Sequence, residues 1–239
     1  MKKGFTLAEI IITLGIIGVI SALTMPGLIN NYQNNANATQ LHKVYSMFLN
    51  AFALQMEEQT ASNLIEGLKS NGRTKLNVAG DFLTTRFTIS ENCAGKAYEC
   101  FADQYRSLNG TAIVESKNLI TNGNFYGVIL TNGASIAMRL SDSIASNDTA
   151  LGYIYVDVNG LKGPNIIGRD FFRFSIWIDG TLDDLNVSPN CRSKNSCLNY
   201  DSSRTARLNN FRNYCYYTDD TTAIGCVGQV MEDGWKITY

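Results

Sequence analysis

Few side chains in this sequence can do chemistry of their own. The 239-residue chain has one histidine, His42, and six cysteines. A single histidine excludes multi-histidine metal sites, and a Ser-His or Cys-His nucleophile would have to use His42. No Cys, Asp or Glu partners it at helical spacing, so it reads as a polar-face residue beside Lys43. The cysteines form no CxxC pair and lie far from His42, which disfavours zinc and a catalytic thiol. No nucleophile motif, phosphate loop or metal cluster occurs, so the chain reads as no enzyme, with no catalytic residue and no metal ligand assigned. The remaining residue of note is Glu9. From Ile10 to His42 there is no Asp, Glu, Lys or Arg. A carboxylate bordering such a run costs a few kcal/mol in a membrane, on the order of 3, and calls for a partner.

The elements that position Glu9 follow from composition. Hydrophobic residues make up 45% of the chain, which excludes wholesale disorder. Charged residues make up 17%, below the usual quarter, largely because of the gap after Glu9. The formal charge of −1 excludes a wholly basic, nucleic-acid-coating surface. Ile10 to Ile29 is a near-continuous apolar stretch, and about 20 such residues cross a bilayer as a helix. Lys2 and Lys3 before it predict a cytoplasmic N-terminus and an exported remainder. A cleaved signal ending near Ser21-Ala22 or a plain anchor fits the run, but neither has a use for Glu9.

The residues Lys2-Lys3-Gly4-Phe5-Thr6-Leu7-Ala8-Glu9, the apolar run and Pro26 together resemble the type IV pilin and type II secretion pseudopilin family. The resemblance implies cleavage between Gly4 and Phe5 by a prepilin peptidase and methylation of Phe5. It implies that Glu9 meets the new amino terminus of a neighbouring subunit, which neutralises the carboxylate and fixes helix register. The implied product is a structural subunit of a type IV pilus or type II secretion pseudopilus. Its partners would be other pilin or pseudopilin subunits and an inner-membrane assembly platform. Its place would be the bacterial inner membrane, single-pass, and then a periplasmic or surface filament. The alternative is a minor pilin whose headpiece binds DNA or a surface.

The expected fold class is α+β. A leader (1–4) precedes a transmembrane or filament-core helix (5–29), its amphipathic continuation (30–60) and an exported headpiece (61–239). Leu41, Val44, Phe48, Phe52 and Met56 recur at helical spacing, opposite His42, Lys43, Asn50 and Glu57. Pro26 should kink or loosen the rod, and Gly15, Gly18 and Gly27 are places where helices could approach closely. Residues 60–80 read as a loop with room for a short helix, and Asp81 as the cap of another short helix through about Ile89, with Phe82, Leu83 and Phe87 on its inner side. Strands are expected over 125–131, 134–140, 151–158 and 171–178, the first two joined by Asn132-Gly133, in antiparallel order against the helix. The runs Val156–Asn165 and Gly168–Asp170, and the end Asp233–Ile237, also look like parts of pilin-like headpieces.

Calcium is the one cofactor considered, on Asp157, Asn159 and Asp170 or on the pairs Asp183-Asp184 and Asp219-Asp220. The spacing departs from known loops, and turn chemistry explains these residues as well. Outside the cytoplasm disulfides persist, and Cys93, Cys100, Cys191, Cys197, Cys215 and Cys226 allow fifteen connectivities. Local pairing, 93–100, 191–197 and 215–226, is the expectation, stapling an irregular region over 187–227. In that region Arg192, Lys194, Arg204, Arg207 and Arg212 interleave with tyrosines, a pattern able to hold nucleic acid, or simply a solvated loop.

Overall fold

The computed structural model describes residues 6–69, 71–121, 123–141, 150–185, 187–188, 203–216 and 222–239. Gly4, Phe5, Cys191, Cys197, Arg192, Lys194, Asp219 and Asp220 lie outside the described residues.

A single helix, α1 (Leu7–Glu58), contributes 52 residues. Its second half is amphipathic as the spacing predicts. Ala38, Leu41, Val44, Phe48, Ala51 and Phe52 are buried, Met56 is half-buried, and His42, Lys43, Asn50 and Glu57 are exposed. Pro26 lies inside α1 without ending it. It has no N–H to offer the carbonyl four residues back, so one rung of the ladder is missing there.

The short α2 (Leu64–Gly67) leads into α3 (Lys75–Arg86). This corrects the expected helix start at Asp81. The cap is Thr74, whose hydroxyl oxygen accepts from the Asn77 N–H at 3.2 Å, and Asp81 sits in mid-helix. Phe82, Leu83 and Phe87 face inward and pack on Phe48 and Phe52 of α1, the Phe48 and Phe87 ring centroids being 4.6 Å apart. Ile89 belongs not to a helix but to β1 (Ile89–Ala94), which carries Cys93. Cys100 closes a 3-10 turn (Ala97–Cys100).

The chain continues through β2 (Gln104–Arg106), β3 (Ile113–Glu115), α4 (Ser116–Leu119), β4 (Tyr126–Leu130), β5 (Ser135–Leu140), β6 (Gly152–Asp157), β7 (Phe171–Ile176) and β8 (Leu182–Asp183). It ends with α5 (Ser203–Asn210), a π-helical turn (Phe211–Tyr216) and α6 (Cys226–Glu232). The main sheet has the order β1-β4-β5-β6-β7-β8 and is antiparallel throughout, while β2 and β3 pair separately. The β4–β5 hairpin forms at Asn132-Gly133 as expected, with Val128 opposite Ile136 and Gly133 at φ 88°, a conformation that favours glycine.

Both faces of this sheet are covered, where the sequence suggested one. Ile154, Val156, Phe172 and Phe174 lie toward α1, with the Tyr45 and Phe174 rings 5.9 Å apart. On the other face Tyr153, Tyr155 and Phe171 meet residues of the 97–125 segment. Tyr105 stands 4.2 Å from Phe171, and Phe125 stands 5.5 Å from Tyr155. Gly127 lets this layer close, because a Cβ there would stand 2.4 Å from the Ala97 Cα. The stretch expected to be irregular, 187–227, includes α5, the π-helical turn and the start of α6.

Candidate functional site

The first half of α1 has no packing partner among the described residues. Its large apolar side chains are all exposed, from 45% for Ile10 to 78% for Leu23. Among the described residues, α1 is the one helix long and apolar enough to cross a membrane. Its polar groups are satisfied locally. The Thr13 hydroxyl donates to the Glu9 carbonyl at 2.9 Å, and the Thr24 hydroxyl donates to the Ile20 carbonyl at 2.9 Å. A Cβ placed on Gly15, Gly18 or Gly27 would meet nothing within 4 Å, so these positions are open to a second surface.

Glu9 sits in the first turn of this apolar rod. Thr6 is the N-cap and Glu9 is the third helical residue, which makes a capping box. The Thr6 N–H and hydroxyl both donate to Glu9 Oε2 at 2.8 Å, and the Glu9 N–H donates to the Thr6 hydroxyl oxygen at 3.3 Å. Glu9 Oε1 has no donor among the described residues, so one carboxylate oxygen is open. A negative charge is also favoured here by the helix dipole. The Thr-x-x-Glu spacing of residues 6–9 was a readable signal for this box that the apolar run overshadowed.

The basic residues behave differently from one another. Arg207 is not a surface cation available to phosphate. Its Nε and Nη2 donate to both Asp183 oxygens at 2.9 and 2.6 Å, and its Nη1 donates to Glu232 Oε1 at 2.6 Å. These side chains are 15%, 3% and 17% exposed, so the group stitches α5 to β8 and α6. Arg204 is 75% exposed and stands 3.8 Å from Glu232, and Arg212 is exposed. The sequence pattern did not separate these roles, because the partners of Arg207 lie 24 and 25 residues away.

The acidic residues considered for calcium face protein donors. Tyr105 donates its hydroxyl to Asp157 Oδ2 at 2.5 Å, and the Asn159 N–H donates to Asp157 Oδ1 at 3.1 Å. Asp170 accepts from the Asn165 and Ile166 N–H groups at 2.7 and 2.6 Å. Burial and the nearby Asp170 charge raise the Asp157 carboxyl well above its ordinary range. Burial also pushes Asp170 up to about 6, and Asp184 to about 7. Asp184 Oδ1 accepts from the Leu185 and Gly225 N–H groups at 2.8 and 3.0 Å. Asp170 closes its own loop, while Asp157 and Asp184 also tie in Tyr105 and Gly225, 52 and 41 residues away. No group of three or more His, Cys, Asp or Glu able to hold a metal ion occurs among the described residues.

Two of the expected cross-links form, Cys93–Cys100 and Cys215–Cys226. His42 gains a partner that spacing did not reveal. Its ring stacks on Trp235 from the C-terminal segment at 4.3 Å. Comparisons with family models, with curated proteins and with solved structures found no match for this chain.

Proposed function

We propose that this protein is a structural subunit of an envelope filament, a type IV pilus or type II secretion pseudopilus. In this reading a prepilin peptidase cuts after Gly4, Phe5 becomes the methylated N-terminus, and the headpiece is exported from the inner membrane. The observation that carries the reading is the division of one helix into two halves. Residues 7–29 expose apolar side chains on every side, while residues 38–52 are clamped under the sheet. Such a rod serves first as a membrane anchor and then, packed against copies of itself or of related subunits, as a filament core. Glu9 and its open Oε1 supply a register point for an incoming ammonium group. The cut after Gly4 leaves the Thr6 N–H as an amide, so the capping box survives processing.

The test is Glu9→Leu in the full chain. It should still insert and be processed, but filament yield measured by shearing and electron microscopy should collapse. Wild-type filament yield from this variant would remove Glu9 from the assembly role. The nucleic-acid alternative keeps fewer residues than the sequence offered, because Arg207 is committed to Asp183 and Glu232.

A further inference from the structure

We propose that the end of the headpiece nearest the anchor docks on anionic phospholipid headgroups of the bilayer that α1 crosses. The proposal rests on the membrane reading of α1 given above. Its starting point is a distance along the chain. The apolar stretch ends at Ile29, and among the described residues the first side chains of α1 to bond the headpiece are Asn34 and Asn37. Arg169 Nη1 donates to Asn34 Oδ1 at 3.1 Å, and Asn37 Nδ2 donates to the Arg169 carbonyl at 3.1 Å. Five helical residues rise about 7.5 Å. The headgroup zone on each side of the hydrocarbon is about 5–8 Å thick. Arg169 therefore stands at the outer edge of the headgroups when Ile29 stands at the edge of the hydrocarbon.

The β6–β7 loop carries Arg169, which bonds α1 nearest the anchor, and its own charges are of one sign, although its tip shares a cleft with the carboxylates of Glu99 and Asp103. Its exposed or half-exposed charges are Lys162 and Arg169, both positive. Its flanking carboxylates, Asp157 and Asp170, are buried and bonded inward. A second strand of chain reaches the same place. The Cys215 sulfur lies 3.2 Å from where a Cβ on Gly168 would be, so the π-helical turn, which also carries exposed Arg212 and Tyr214, packs on the loop through Cys215. Tyr32, 74% exposed, stands between the apolar run and Asn34. Cations within a Debye length, about 10 Å, of an anionic surface are attracted to it, and tyrosines favour the headgroup level. Leu161, 57% exposed on the same loop, gives an apolar tip beside Lys162. This docking would hold the headpiece upright at the membrane before assembly.

The test is hydrogen–deuterium exchange of the full-length protein in nanodiscs of phosphatidylcholine alone or mixed with phosphatidylglycerol. The proposal expects slower exchange over 159–169 and 211–216 in the anionic discs, reversed by raised salt. It also expects the protection to fall about fivefold for each cation removed, in Lys162→Gln and Arg212→Gln. Equal exchange in the two lipids, or protection indifferent to salt and to both substitutions, would overturn it. The amides of residues 10–29 act as an internal control. Their protection in both discs with an unresponsive loop sinks the docking proposal alone, whereas their free exchange sinks the membrane reading beneath it.

Discussion

Replacing Arg207 with Met tests whether this residue builds the headpiece or serves its surface. The substitution keeps the aliphatic stem and deletes the guanidinium fork. It breaks a bidentate pair with Asp183 and a second bond to Glu232, all with side chains at most 17% exposed. Asp183 is left in place with its charge buried. Removing one partner of a buried pair costs about 3–5 kcal/mol, most of it the stranded charge rather than the lost attraction. For a domain of this size that corresponds to a fall in Tm of about 10 °C. The assay is urea unfolding of the full chain in detergent micelles, followed by fluorescence of Trp177, which is buried, and Trp235. The urea midpoint should drop with an unchanged slope. Arg207→Met/Asp183→Asn should be less destabilised than the sum of its single changes, by about 1–3 kcal/mol, because the amide carries no stranded charge. Arg204→Ala, which removes a 75% exposed side chain 3.8 Å from Glu232, should change stability by no more than about 0.5 kcal/mol. A loss below about 1 kcal/mol for Arg207→Met, or strictly additive changes in the double variant, would refute the reasoning.

Two further outcomes follow from buried groups. Asp184 and Asp170 have folded-state values of about 7 and about 6, raised by burial above the unfolded value near 3.8, so each favours the folded state below the unfolded value and loses that contribution as pH rises through the folded one. Asp184→Asn, which keeps the oxygen that accepts from Leu185 and Gly225, should flatten the fall of the urea midpoint between about pH 4 and pH 7; an unchanged slope would contradict this. Converting Cys215 and Cys226 together to Ser opens a cross-link with a sequence separation of 11 and should cost about 3 kcal/mol, read as a midpoint shift on that order, and no shift would show the bond to be dispensable.

The parts of this fold that were legible are those where one local signal is strong. The apolar run and the stripe from Leu41 to Phe52 mark α1, and Asn132-Gly133 between alternating strands marks the β4–β5 hairpin with its register. β1 was missed because it is an edge strand of mostly exposed residues, with register shifts against β4, so it lacks alternation. The start of α3 was missed because Gly80 reads as a breaker and Asp81 imitates a cap, while the working cap is Thr74. The second layer over the sheet was missed because Ser135 and Asp157 look like solvent-facing positions. They are buried because the Ser135 hydroxyl donates to the Cys100 carbonyl and Asp157 accepts from Tyr105. Those partners are 35 and 52 residues distant, beyond any local pattern. In the candidate site, Glu9 was singled out from the sequence by its isolation, but its bond to Thr6 was not, and neither was the commitment of Arg207.

The central claim is that the chain is matured and assembled through its N-terminus. Intact-mass and peptide mass spectrometry of the protein, expressed with a prepilin peptidase and recovered from membranes, tests that claim most directly. The expected product is a mature chain that begins at Phe5 and carries one added methyl group on its amine. A chain that keeps Met1, or one cut near Ala22, would contradict it.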